Sequence, residues 1–280
     1  MAQTYPALRS LVIDTTDTRR SAEFYHQLLG YAYVPGDEPR GESDNPEWVA
    51  LLPPSGRPRL AFQRVPELPR STWPKPDVPQ QLHPDFIVPD AERLTEQRER
   101  LQAVGAPLLF DRFDDPEPLY VHADPSGHPF CVIAVPDAEQ PKPGFPTLRS
   151  IVLDTTDVRR LAEFYRQLLG YDYVPGDEPP GHNQPDTADW LALQGPDVRL
   201  SFQQVPELPR STWPTTEVPQ QVHLDFEFTE VPDLAAHHER ALALGATMLV
   251  DEFDSPEQPM YIYADPAGHT FCMFVMLPES

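Results

Sequence analysis

The sequence predicts an α+β protein of two tandem domains, each made of two βαβββ modules that form an open, cup-shaped sheet. Three observations carry this prediction. The chain repeats itself almost end to end, each copy divides into two halves of like order, and each half reads as a strand, a helix and three strands. LRSLVIDTTDTRRSAEFYHQLLGY (Leu8–Tyr31) returns as LRSIVLDTTDVRRLAEFYRQLLGY (Leu148–Tyr171). Further along, Trp48 matches Trp190, Phe62 matches Phe202, Trp73 matches Trp213, His83 matches His223 and Asp124 matches Asp265. A period this long means duplicated domains rather than a solenoid. The expected boundaries are residues 1–136, a linker at 137–146, and residues 147–280. The linker is short and rich in proline, which implies that the copies pack together.

Each element has a local reason. RSLVID is an apolar run of strand length, and Asp17 can cap a helix on which Ala22, Phe24, Tyr25, Leu28 and Leu29 fall on one face before Gly30 ends it. YAYVP, EWVALL and RLAFQRV read as the next three strands. QQLHPDFIV opens the second half, followed by a helix from near Asp90 to Gly105 and strands around PLLFDRF, LYVHA and FCVIAV. Pro84 removes a ladder donor beside His83, whereas the second copy has Leu224 there and forms the more regular strand. If one cup alone works, the second is the expected one.

Composition narrows the partners. The net charge of −23 divides into −9 over residues 1–140 (13 basic, 22 acidic) and −14 over 141–280 (8 basic, 22 acidic). Such a surface repels phosphate backbones and anionic lipid, so neither nucleic acid nor membrane is expected as a partner. There is no apolar run of the roughly 20 residues that span a bilayer. The first residues lack the basic and apolar regions of a signal peptide, so a cytoplasmic protein is expected. Cys131 and Cys272 hold matching places and read as separate free thiols. The 37 prolines fall between periodic segments, as in a loop-rich globular protein.

One stretch is kept without change: VPELPRSTWP at Val65–Pro74 and again at Val205–Pro214. It joins the fourth strand of each copy to the fifth. Flanking residues differ between copies, so recent duplication alone does not explain the identity. Two roles are open, a clamp between the two copies and a cup wall with Trp73 or Trp213 against a bound planar molecule. Arg70 and Arg210 are expected to meet an acidic substrate, or Glu67 and Glu207.

The patterns D-x-x-x-x-A-E-F-Y-x-x-L-L-G-Y (Asp17–Tyr31, Asp157–Tyr171), Q-x-H-x-D-F (Gln81–Phe86, Gln221–Phe226) and A-D-P-x-G-H-x-F-C (Ala123–Cys131, Ala264–Cys272) resemble the glyoxalase/bleomycin-resistance/dioxygenase family, the vicinal oxygen chelate superfamily. More narrowly, the chain is similar to glyoxalase-like proteins of actinobacteria. The resemblance implies a cup that serves ligand binding or any of several chemistries. It also implies three metal-ligand positions, normally a histidine on the first strand, a histidine on the fifth and a glutamate on the eighth. Here those positions hold Ser10, His83 and Cys131 in the first copy and Ser150, His223 and Cys272 in the second. One ligand of three survives per copy, so no cofactor is expected. Asp85 and Asp225 share strand parity with the histidines, and Asp14 and Asp154 with the serines, so a rebuilt His/Asp/Cys set for a divalent metal is the alternative.

The expected function is therefore a metal-free cup that binds a small organic molecule, similar to the drug-sequestering branch. The acidic exterior suggests a cationic or planar ligand. Trp73, Trp213, Phe62, Phe202, Tyr120 and Tyr261 are the expected wall aromatics, with Ser10, Ser150, Cys131 and Cys272 as further ligand contacts. The alternative is a lyase or isomerase that uses the rebuilt metal site, or acid/base pairs from His223 with Asp225 and His83 with Asp85. Of the other histidines, His128 and His269 are expected at a turn or rim and His237 and His238 in solvent. Four modules in one chain allow a monomer as well as a homodimer.

Overall fold

The computed structural model describes residues 4–41, 44–75, 77–136, 138, 140–181 and 184–277. Asp137 and Glu139 of the expected linker lie outside them. Four modules follow one another. The first holds β1 (Ala7–Thr15), α1 (Thr18–Leu29), β2 (Ala32–Tyr33), β3 (Trp48–Leu52) and β4 (Arg59–Arg64). The second holds β5 (Leu82–Val88), α2 (Ala91–Ala103), β6 (Leu108–Arg112), β7 (Leu119–Ala123) and β8 (Pro129–Ala134). The second copy repeats this order with β9 (Thr147–Thr155), α3 (Val158–Leu169), β10 (Asp172–Tyr173), β11 (Trp190–Gln194) and β12 (Arg199–Gln204). Its other module holds β13 (Val222–Phe228), α4 (Val231–Leu244), β14 (Thr247–Glu252), β15 (Met260–Ala264) and β16 (Thr270–Val275).

The helices start and stop where the sequence predicts. Asp17 caps α1 by accepting from the Arg20 backbone N–H, and Asp157 does the same for α3 from Arg160. Gly30 and Gly170 end these helices at φ of 65° and 70°, the left-handed region that glycine enters without strain.

The modules combine into two eight-stranded mixed sheets, but not copy by copy. One sheet runs β14-β15-β16-β13-β1-β4-β3-β2, the other β10-β11-β12-β9-β5-β8-β7-β6. The first strand of each copy is hydrogen-bonded, antiparallel, to the fifth strand of the other: β1 with β13 and β5 with β9. The module order within the α+β class is as read from sequence, and the finding is that each cup-shaped sheet takes one module from each copy.

The apolar core follows a different plan. Tyr25 on α1 stacks on Phe62 of β4, with ring centres 5.6 Å apart, and also meets Phe86 of β5 and Phe130 of β8. Tyr165 on α3 repeats this with Phe202, Phe226 and Phe271. The helix of each copy thus packs between two sheets against residues of its own copy, while the sheets themselves run across copies. The linker region is tied down as expected: Lys142 Nζ donates to the Gly30 carbonyl at 2.7 Å, and Phe145 lies under the Arg100 guanidinium.

Candidate functional site

Strand alternation puts one set of side chains on the cup face and the other under the helices. On β13 the cup face carries His223 and Asp225, on β16 Cys272, and on β1 Ser10. In register, Asp225 has Cys272 beside it on one side and Ser10 on the other. One donor atom from each of His223, Asp225 and Cys272 lies within 4.8 Å of the others, and His83, Asp85 and Cys131 form the same cluster in the other cup. The grouping expected from sequence therefore changes. Ser10 belongs with His223 and Cys272, and Ser150 with His83 and Cys131, because of the cross-copy β1–β13 and β5–β9 ladders.

Behind each imidazole stands a glutamine. The Gln220 amide nitrogen lies 2.8 Å from His223 Nδ1 and donates to Asp14 Oδ2 at 3.1 Å. Gln80 does likewise with His83 Nδ1 at 2.5 Å and Asp154 at 3.4 Å. When the amide donates to Nδ1, the proton of the neutral imidazole sits on Nε2 and faces Asp225. Burial pushes Asp225 up to about 7 and Asp14 up to about 7, and it drops His223 to about 4. The His223–Asp225 contact at 3.6 Å is thus not an ion pair: the imidazole is neutral and the carboxyl holds its proton up to near neutrality. In the other cup burial also pulls His83 down, but the neighbouring Asp85 carboxylate, with Asp154 behind, outweighs it and leaves the imidazole raised. Both thiols are pushed well up, by burial first and the neighbouring aspartate second, so neither is an activated nucleophile.

The donor set fits a metal. His Nε2 and Asp Oδ1 are 3.5 Å apart in one cup and 3.6 Å in the other, longer than an N–H···O hydrogen bond. Two ligands at 2.0–2.1 Å from one Zn²⁺ are about 3.4 Å apart, so the histidine and aspartate of each cluster, with its cysteine, would hold such an ion. Gln220 Oε1 lacks a partner and, with the amide turned over, would accept from Nδ1–H and leave Nε2 free to ligate.

Above His223, Asp225 and Cys272 opens a cavity of about 480 Å³, walled by Trp48, Trp213, Arg9, Arg59, Met260 and Phe274 among others. Of the expected wall aromatics, Trp213 is therefore at the cavity. Trp73 is half-buried and edge-on to Phe110 of β6, 6.2 Å between ring centres. Phe62 and Phe202 are not cup residues: both are fully buried against Tyr25 and Tyr165 on the helix face. Tyr120 and Tyr261 also face the helices. Tyr120 stacks on Phe113 beneath Arg98 of α2, and Tyr261 on Phe253 and His238 of α4. The physical reason is parity, since Met260 and Ile262 take the cup side of β15 and leave Tyr261 the other.

Other expectations need correction. Arg70 and Arg210 pair with no carboxylate among the described residues but donate to the Pro125 and Pro266 carbonyls in the D-P-x-G turns. Gly127, at φ 99°, lets Arg70 lie so close that a Cβ there would stand 3.0 Å from its Cγ. The repeated loop thus clamps a turn with its arginine and, in the second copy, presents its tryptophan to the cavity. His128 and His269 are buried rather than at a rim, each against the aspartate of its own turn, at 3.1 Å and 2.8 Å. His237 is buried against Phe228 rather than solvated, and His238, half-buried, lies 2.8 Å from the Tyr263 hydroxyl.

Sequence reasoning missed Trp48, Arg9, Arg59, Gln220 and Met260. Counting every second residue outward from the ladder partners of His223 would have found all but Arg9 and Gln220. Arg9 is the extra residue of a β-bulge between Leu8 and Ser10, which turns it into the cup and which periodicity does not show. Gln220 precedes the strand.

No helix of the described residues is long and apolar enough to cross a membrane. No curated protein matches the chain significantly. Among solved structures, a Bacillus subtilis protein provisionally named a dioxygenase superposes with a TM-score of 0.66 at 14% identity, over 99% of this chain and 87% of that one. Glyoxalase I from Zea mays superposes with a TM-score of 0.64 at 15% identity, over 96% of this chain and 92% of that one. At these identities the likeness is one of fold. The glyoxalase-like domain family matches residues 10–133 and again residues 150–274. The chain therefore belongs to the glyoxalase-like domain family and carries that domain twice.

Proposed function

We propose that this protein binds a small organic molecule in its cup and holds it between tryptophan walls over a His–Asp–Cys floor. The supporting observation is the cavity of about 480 Å³ in which Trp48 and Trp213 stand above His223, Asp225 and Cys272. A concave site of this size with few convergent polar groups is what small-molecule recognition requires. The floor supplies hydrogen-bond donors and acceptors to the ligand, and the indoles supply area. The test is ligand screening by tryptophan fluorescence, followed by affinity measurements on variants. Trp213→Ala should weaken binding about tenfold and His223→Ala less, the cost of a truncated aromatic anchor. If neither substitution changes the affinity of a ligand found this way, the cavity is not the site.

A second reading, a metal-dependent lyase or isomerase, draws support from the 3.5–3.6 Å spacing of the histidine and aspartate donors. Metal content after exposure to Zn²⁺, Ni²⁺, Mn²⁺ or Fe²⁺ and desalting separates the two. One tightly held ion per cup favours the enzyme reading, and retention that Cys272→Ala and Cys131→Ala abolish assigns it to these clusters.

A further inference from the structure

We propose that the cup over His223 selects a flat organic anion and that Arg59, seconded by Arg9, holds its charge. This rests on the reading that the cavity binds a small molecule. Two guanidiniums, those of Arg9 and Arg59, line the cavity, and Arg57 shares Glu227 with Arg9. Arg9 Nη1 and Arg57 Nη2 each lie 2.7 Å from Glu227, one on either carboxylate oxygen. Arg59 lines the cavity and has no ion-pair partner among the described residues. Its own ladder partner is Ser10, directly beside Arg9. Burial first, then repulsion from Arg9, lowers its pKa against the weaker pull of Glu227 and Asp37, and an incoming anion would relieve this.

The clustering runs against the rest of the molecule. A chain of net charge −23 has carboxylates to spare, yet it leaves surplus positive charge at this wall. The acidic exterior, which pointed to a cationic ligand, describes the outer surface, whereas a cavity responds to its own lining.

The second cup repeats the feature with different neighbours. Arg149 and Arg199 hold the places of Arg9 and Arg59, and Arg149 is again the extra residue of a bulge, between Leu148 and Ser150. There the counterpart of Glu227 is Ile87, so the arginines are not in place to satisfy that glutamate. Arg199 donates to a neutral amide oxygen, that of Gln194 at 3.0 Å, and forms no ion pair among the described residues, while Arg149 has a solvent-exposed Glu117 at 3.8 Å. A guanidinium with free donors favours carboxylate, sulfonate or phosphate geometry. Trp48 and Trp213 on the same cavity supply faces for a flat apolar body.

The experiment compares three probes that share one ring system, 2-naphthoate, 2-naphthamide and 2-naphthylmethylammonium, by ligand-observed NMR titration at low and high salt. Wild-type protein should bind the carboxylate about tenfold tighter than the amide and the ammonium weakest, and the preference should shrink with salt. Arg59→Gln should lose the preference while keeping the affinity for the amide, and Arg59→Lys should retain part of it. Equal or tighter binding of the amide or the ammonium overturns the proposal, as does a preference that Arg59→Gln leaves intact. If none of the three binds, the small-molecule reading of the cavity fails with it.

Discussion

Replacing Asp225 with asparagine tests the electrostatics of the cup floor. In the folded chain burial raises the Asp225 carboxyl to about 7, against a reference of about 4 in the unfolded chain. A raised pKa means that the folded state holds the proton more tightly. Its stabilising share is complete below about pH 4 and is lost as pH rises through about 7. Between pH 5 and pH 8 this amounts to two units at 1.36 kcal/mol each, about 2.7 kcal/mol. Asparagine carries no titrating proton, so the variant lacks this slope and gains on the wild type toward pH 8. Asp14, also raised to about 7, and His223, lowered to about 4, titrate in both proteins and cancel in the comparison. The assay is urea unfolding followed by tryptophan fluorescence at pH 5 and pH 8, with chelator present. The difference in unfolding free energy between the two proteins should shift by about 2.7 kcal/mol across that range. A difference constant with pH, or a wild type that gains toward pH 8, would refute the buried neutral carboxyl. Adding Zn²⁺ should reverse the sign if the cluster takes the ion, because metal holds the carboxylate ionised.

Phe62→Ala should cost about 3–5 kcal/mol of stability, because it empties a fully buried site under Tyr25, and leave ligand affinity unchanged in the folded fraction. Thermal denaturation beside a binding titration checks this, and a loss of affinity without loss of stability would return Phe62 to the cup. Separately encoded chains of residues 1–136 and 141–280 should co-purify in equal amounts, because six register pairs join β1 to β13 and six more join β5 to β9, each cross-strand pair worth about 0.2–1 kcal/mol. Halves that run apart on size exclusion would contradict the exchanged sheets.

The fold was largely legible because its determinants are local. Asp17 and Asp157 before an apolar helix face, Gly30 and Gly170 after it, and period-two strands all carry their own geometric reasons, and duplication states each twice. The candidate site was legible in part. Parity alone places Asp225 and Asp85 on the face of the histidines, and the structure brings Asp225 into a cluster with Cys272 and Asp85 into another with Cys131. The aromatics were misassigned for a related reason. Residue type alone recommends Phe62, Phe202, Tyr120 and Tyr261, yet each stands one register step from the cup face.

By itself the sequence determined the elements, their order, the twofold repetition and the residue types near the site, since caps, turns and alternation act over a few positions. Tertiary structure decided which strands are neighbours. A β-ladder between β1 and β13 joins residues 215 positions apart, Ser10 with Asp225, and no periodicity in either copy distinguishes that partner from the equivalent strand nearer in sequence. That choice puts Ser10 with His223 and gives both copies a share in each cup. It also sets Arg59, beside a bulge that turns Arg9 inward, against a cavity whose acidic surroundings predicted the opposite charge.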